Sequence, residues 1–166
     1  MYFFMRKKPS LKQPLNRGQI RTFRNDFFFY IRCMAARRTI LYAEDDPDDF
    51  EMVRESFAKY PHITLVQCKN GQELLRRLQG LNTDTLPCLI ILDMNMPIMD
   101  GRQALVQLRK VPQLQDIPVV VFTTSSSHLD EFFAKSYQAL FMTKPQKAAD
   151  ALNVAEQIAL LCGIEL

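Results

Sequence analysis

From residue 39 onward, short apolar runs alternate with longer segments whose apolar residues recur every three or four positions. Thr39-Ile40-Leu41-Tyr42-Ala43 is a continuous apolar run that stops at Glu44-Asp45-Asp46. Pro47 follows where a helix can begin, and Phe50, Val53 and Phe57 mark one helical face. Ile63-Thr64-Leu65-Val66 reads as a second strand, and Glu73 to Leu81 as a helix with Leu74, Leu75 and Leu78 turned inward. Cys88 to Leu92 is a third strand, and Gly101 to Lys110 a helix that buries Ala104, Leu105 and Leu108. Ile117 to Phe122 is a fourth strand, with Pro118 tolerable near its start. His128 to Tyr137 is a helix, Ala139 to Met142 a short fifth strand, and Lys147 to Cys162 a last helix. On the fourth helix, Leu129, Phe132 and Phe133 read as core; an exposed Phe there would instead mark a partner surface.

The third and fourth strands are apolar throughout, as strands buried on both faces must be. Strand and helix alternate five times, which implies right-handed crossovers and helices on both sides of a parallel sheet. The expected fold is α/β, a flavodoxin-like doubly wound (βα)5 sheet of order 2-1-3-4-5.

Charge divides the chain. Residues 1–38 carry ten Lys/Arg against one acid, Asp26, which leaves 11 Lys/Arg and 17 Asp/Glu in the remainder, a body of about −6 within a chain of net +3. Residues 1–33 lack either period and mix basic residues with Pro, Asn and Phe, which suits a disordered extension. Met34 precedes the first strand where an ordinary start would stand. We therefore divide the chain into residues 1–35, a basic extension or a start placed too far upstream, and residues 36–166, the folded domain. The alternative, a basic arm for nucleic acid or anionic lipid, lacks Gly/Arg repeats and an amphipathic pattern. No apolar stretch approaches the ~20 residues that span a membrane. The expectation is a cytoplasmic protein without direct nucleic-acid or membrane contact.

Cys33, Cys68, Cys88 and Cys162 show no C-x-x-C spacing and no nearby paired histidines, so neither a metal-thiolate site nor a disulfide framework is expected. All four read as reduced thiols, and His62 and His128 as surface residues.

The chemistry gathers at the strand ends. In a sheet of order 2-1-3-4-5 the topological switch point lies between strands one and three, and ligands bind outside the carboxyl ends there. That brings Glu44 and Asp45 to Asp93, with Asp46 next to them. Carboxylates so crowded repel unless a cation or proton intervenes, and a hard divalent ion, Mg2+ or Mn2+, is the natural answer. Lys144, after strand five, adds positive charge from the opposite side. The set suits phosphoryl transfer onto Asp93 as an aspartyl phosphate, because such transfer is mostly positioning and charge neutralisation. Thr123, at the tip of strand four, can donate its hydroxyl to a phosphoryl oxygen only when one is present. It is a candidate switch.

Residues from about 39 to 162 resemble the receiver domain of two-component response regulators, the single-domain chemotaxis type. The resemblance rests on Ile40-Leu41-Tyr42-Ala43-Glu44-Asp45-Asp46, Asp93 through Gly101, Val119-Val120-Val121-Phe122-Thr123, and Phe141-Met142-Thr143-Lys144-Pro145. It implies that Asp93 is the phosphoacceptor, that Glu44 and Asp45 hold the metal with Asp93 and the Asn95 backbone carbonyl, and that Asp46 contributes at most through water. It further implies that Lys144 contacts the phosphoryl group, that Thr123 and Phe141 are the switch pair, and that Lys144-Pro145 is cis. The implied partners are a histidine kinase or histidine phosphotransfer protein and a downstream protein, with homodimerisation left open. The implied output is a change of the fourth-helix, fifth-strand, fifth-helix face, and the only catalysis is Mg-dependent self-phosphorylation and self-dephosphorylation. One departure is the stretch Ala134 to Leu140, which lacks the Gly usual before strand five and leads us to expect an irregular edge.

Two rival classes fit less well. An aspartate-dependent phosphatase wants a second Asp two residues after the nucleophile, where this chain has Asn95. A flavodoxin-type nucleotide binder needs a Ser/Thr/Gly-rich loop after strand one, where this chain has three acids.

Overall fold

The computed structural model describes residues 38–124 and 127–164. The basic extension, Ser125 and Ser126, and the last two residues lie outside them. The elements are β1 (Arg38–Ala43), α1 (Pro47–Ser56), β2 (Ile63–Cys68), α2 (Gly71–Leu78), a 3-10 turn (Thr83–Thr85), β3 (Leu89–Leu92), α3 (Gly101–Lys110), β4 (Val119–Thr123), α4 (His128–Ser136), β5 (Leu140–Thr143) and α5 (Ala148–Leu161). The strands form one parallel sheet of order β2-β1-β3-β4-β5, as the alternation implied.

Each central strand feeds two cores. Ile40, Tyr42, Leu89, Ile91, Val120 and Phe122 face one side, where Val53 of α1, Phe57 just after it, and Ala155 and Ile158 of α5 pack. Leu41, Ala43, Ile90, Leu92, Val119 and Val121 face the other, covered by Leu74, Ala104, Leu105 and Leu108 of α2 and α3 and by Ala134 of α4. Both faces are dry, so every position must be apolar.

Local capping chemistry sets where the helices begin. Asp46 caps α1, its side chain accepting from the Asp48 and Asp49 amides, with Pro47 at the first turn. α2 starts two residues earlier than its apolar face suggested, because Asn70 supplies the cap for the Glu73 amide. Asp100 and Gln103 form a reciprocal capping box at the head of α3. Ser127 stands at the cap position of α4, its carbonyl accepting from the Asp130 and Glu131 amides.

Four expectations are corrected. Cys88 and Cys162 form a disulfide across 74 residues, with Cα atoms 5.4 Å apart. Sequence spacing could not show this. α5 runs antiparallel to the strands, so its C-terminus returns to the end of the sheet where β3 begins. Cys68 remains a buried free thiol, in line with its reading as a reduced cysteine, with burial pushing it up to about 12. Second, Leu129 and Phe132 are 80% and 72% exposed, while Phe133 alone of the three packs inward. Third, no peptide bond among the described residues is cis, so Lys144-Pro145 is trans. Fourth, the edge is regular. β5 keeps continuous register with β4 from Leu140 to Thr143. Gln138 takes the left-handed conformation, φ 53°, that a glycine would adopt more cheaply. Arg109 secures the turn by donating to the carbonyls of Gln115, Ile117, Tyr137 and Gln138.

Replacing Cys88 and Cys162 together by Ala, or reducing the bond, is expected to lower unfolding free energy by about 2–4 kcal/mol through the freed unfolded chain. Urea unfolding with and without dithiothreitol measures it. An unchanged midpoint would show that the bond contributes nothing to stability.

Candidate functional site

β1 ends at Ala43 and β3 at Leu92, neighbours in the sheet, so the chain leaves both strands at the same edge. The Asp93 amide still donates to the Ala43 carbonyl (3.0 Å) and the Glu44 amide to Cys68 (2.8 Å), which extends the ladder by one residue under each carboxylate. Asp93 is 5% exposed and Glu44 1%, whereas Asp45 stands in solvent. One ligand oxygen from each of Glu44, Asp45 and Asp93 lies within 4.8 Å of the others.

Lys144 closes the site from β5. Its amide donates to the Thr123 carbonyl (2.8 Å), bringing the residue after β5 to the tip of β4. The buried ammonium lies 2.6 Å from Glu44 Oε2, 2.8 Å from Asp49 Oδ2 and 3.5 Å from Asp93 Oδ2. Thr123, fully buried, ends β4 beside these groups. Phe141 is half-buried on β5 against the α3/α4 core. The exposed Asn95 lies two residues beyond Asp93. Asp46 spends its side chain on the α1 cap and is not among the three clustered carboxylates.

Two residues of the site escaped the sequence reading. Asp49 reads as an acid favourable to the α1 dipole, yet it is an ion-pair partner of Lys144 from across the sheet edge. Tyr42 reads as core, and its ring is core, but its hydroxyl donates to Glu44 Oε2 at 2.6 Å. Its position two residues before Glu44 in a strand, which puts both side chains on one face, was the available signal.

The electrostatics follow from burial opposed by pairing. Burial pushes the Asp93 carboxyl above its usual range, although the Lys144 charge and the Met94 and Asn95 amides pull the other way. Glu44 is likewise raised by burial against the hydrogen bonds of Lys144 and Tyr42. Burial alone would lower the Lys144 ammonium; its hydrogen bonds to Asp49 and Glu44 and the charges of Glu44 and Asp93 outweigh it and hold it above the ordinary lysine value. Buried Tyr42 is raised, first by burial and then by Glu44. The arrangement has excess negative charge around one cation, and three hard oxygen donors fit a divalent ion.

The chain also matches known proteins. The family model described as "Response regulator receiver domain" matches residues 40–156. Response regulator Rcp1 of Synechocystis sp. is 30% identical over 128 residues, 73% of this chain and 86% of that protein. Among solved structures, the phosphorylated cyanobacterial phytochrome response regulator RcpA superposes with TM-score 0.67 at 29% identity, over 75% of this chain and 92% of that one. The Mn(2+)-bound form of Rcp1 does so with TM-score 0.67 at 29% identity, over 78% and 98%.

Proposed function

The chain belongs to the response regulator receiver domain family, and we propose that it accepts a phosphoryl group on Asp93 from a histidine kinase or histidine phosphotransfer protein. The observation that carries this reading is the buried Lys144 ammonium, 3.5 Å from an Asp93 carboxylate that two neighbouring acids crowd. A carboxylate oxygen of Asp93 would attack phosphorus as the bond to the donor's imidazole nitrogen breaks. Glu44, Asp45 and Asp93, with the Asn95 carbonyl, would hold Mg2+ or Mn2+, which supplies charge neutralisation for the phosphoryl oxygens. Lys144 would contribute a further charge at the same oxygens, and the hydroxyl of Thr123, at the β4 tip, would bond one of them. Phe141 would follow Thr123 on the same edge.

The response would reach α4 along a physical link. Arg102, the residue after Gly101 on α3, forms an ion pair with the buried Asp130 of α4. The exposed Leu129 and Phe132 of that helix, with Leu140 on β5, offer apolar surface to a downstream protein. Beyond self-phosphorylation and self-dephosphorylation no further catalysis is assigned. No described helix is long and apolar enough to cross a membrane, and the proposed setting remains the cytoplasm. Incubation with acetyl phosphate and Mg2+, read by intact mass, tests the reading: one added phosphoryl group supports it, and none counts against it.

A pH dependence follows from the raised carboxyls. Because Glu44 and Asp93 bind protons more tightly folded than unfolded, their contribution to stability is full at low pH and is lost as pH rises through their folded values. A divalent ion reverses this, since it needs both groups ionised. At tenfold over its dissociation constant, Mg2+ is expected to raise the melting temperature at pH 7.5 by about 3–6 °C and much less at pH 5. A larger shift at pH 5 would refute the assignment of these carboxylates to the metal.

A further inference from the structure

We infer that Asp49, on the first turn of α1, is a positioning residue that restrains phosphorylation by holding the Lys144 ammonium off Asp93. The inference rests on Asp93 as the acceptor. An ammonium has three N–H donors and here faces three carboxylates, so it is their geometry and not their number that decides which is held best. The acceptor is the most distant: Lys144 Nζ is 2.6 Å from Glu44 and 2.8 Å from Asp49, but 3.5 Å from Asp93, beyond the usual 2.7–2.9 Å of such a bond. Glu44 and Asp49 therefore set where the cation rests.

The two restraints differ in kind. Glu44 is buried, is also held by Tyr42, and belongs to the carboxylate trio that fits a divalent ion. A metal held there would share the Glu44 charge with the lysine. Asp49 is outside that trio, and its backbone is fixed because its amide donates to the Asp46 cap at 3.2 Å. It keeps its hold on Lys144 when metal is bound. A phosphoryl group on Asp93 must then win the ammonium from Asp49 while facing that residue's negative charge. Both effects oppose phosphorylation; in Asp49→Asn the charge repulsion vanishes and the hold on the ammonium weakens to that of a neutral amide oxygen. The Asp49 side chain is 36% exposed, so the amide finds water and leaves no buried polar orphan.

The test is affinity for beryllofluoride, a phosphoryl mimic, followed by 19F NMR on the full chain with saturating Mg2+. Asp49→Asn is expected to bind about three- to tenfold more tightly than the parent, and Asp49→Glu within about twofold of it. Thermal melts establish that both variants are folded. Equal or weaker binding by Asp49→Asn overturns the restraint and leaves Asp49 as a structural ion pair. If the parent neither binds beryllofluoride nor gains phosphoryl mass from acetyl phosphate, it is the acceptor reading that falls.

Discussion

Asp93→Asn protein incubated with acetyl phosphate or phosphoramidate and Mg2+ is expected to gain no phosphoryl mass, where the parent gains one group. The amide oxygen of Asn is not a usable nucleophile, whereas a carboxylate oxygen is. The substitution is close to isosteric and removes a charge that burial already disfavours, so the fold is expected to survive and the loss to be chemical. Lys144 keeps its two shorter contacts, to Glu44 and Asp49. The expected fall in incorporation rate is about a thousandfold or more, on the scale of losing a catalytic nucleophile. Intact mass and circular dichroism of the same sample separate chemistry from folding. Undiminished labelling of a folded variant would move the acceptor to another residue, with Asp45 and Glu44 the first to be tested.

Gly101→Ala is expected to be the most damaging glycine-to-alanine change among the described residues. A Cβ at Gly101 would lie 2.2 Å from the Asp93 carbonyl oxygen and 2.9 Å from the Met94 Cα. Both are backbone atoms of the loop that carries the acceptor, so neither can rotate away as a side chain would. The Gly101 amide also donates to the Met94 carbonyl at 3.2 Å, which pins the head of α3 to that loop. Relief requires shifting α3 or the Asp93 backbone, at a cost of about 3 kcal/mol or more. Gly80→Ala is the control: φ is +82° there, but the added methyl meets no atom within 4 Å, and the cost is about 1 kcal/mol. Urea midpoints compare them. Equal destabilisation would mean that conformational freedom, rather than close approach, explains Gly101. Variant that remains folded should also accept phosphoryl more slowly, because the same displacement moves Asp93.

Much of the architecture was legible because a two-faced sheet leaves a one-dimensional record. Ile90, Ile91 and Leu92 cannot face water on either side, and that continuous apolarity reveals a central parallel strand. The helices were legible as faces but less well as ends. α2 began early because Asn70, a cap, carries no apolar signal. Leu129 and Phe132 differ from their core pattern for the opposite reason: helical periodicity locates an apolar stripe without showing whether anything covers it. The absent glycine before β5 suggested an irregular edge, and the four carbonyls gathered by Arg109 come from segments too far apart for the sequence to associate.

By itself the sequence determined the alternation of strand and helix, the sheet order that alternation allows, and the placement of Glu44, Asp45, Asp93, Thr123 and Lys144 at strand ends. These follow from short-range patterning, since each residue's position depends on the strand that delivers it. Only the tertiary structure decided how those groups pair. The pull of Asp49 on Lys144, the Tyr42 hydroxyl beneath Glu44, the Cys88–Cys162 bond and the Arg102–Asp130 link join residues on different elements or turn on side-chain reach. Their existence depends on distances of a few ångströms fixed by packing of both faces of the sheet, which no periodicity encodes.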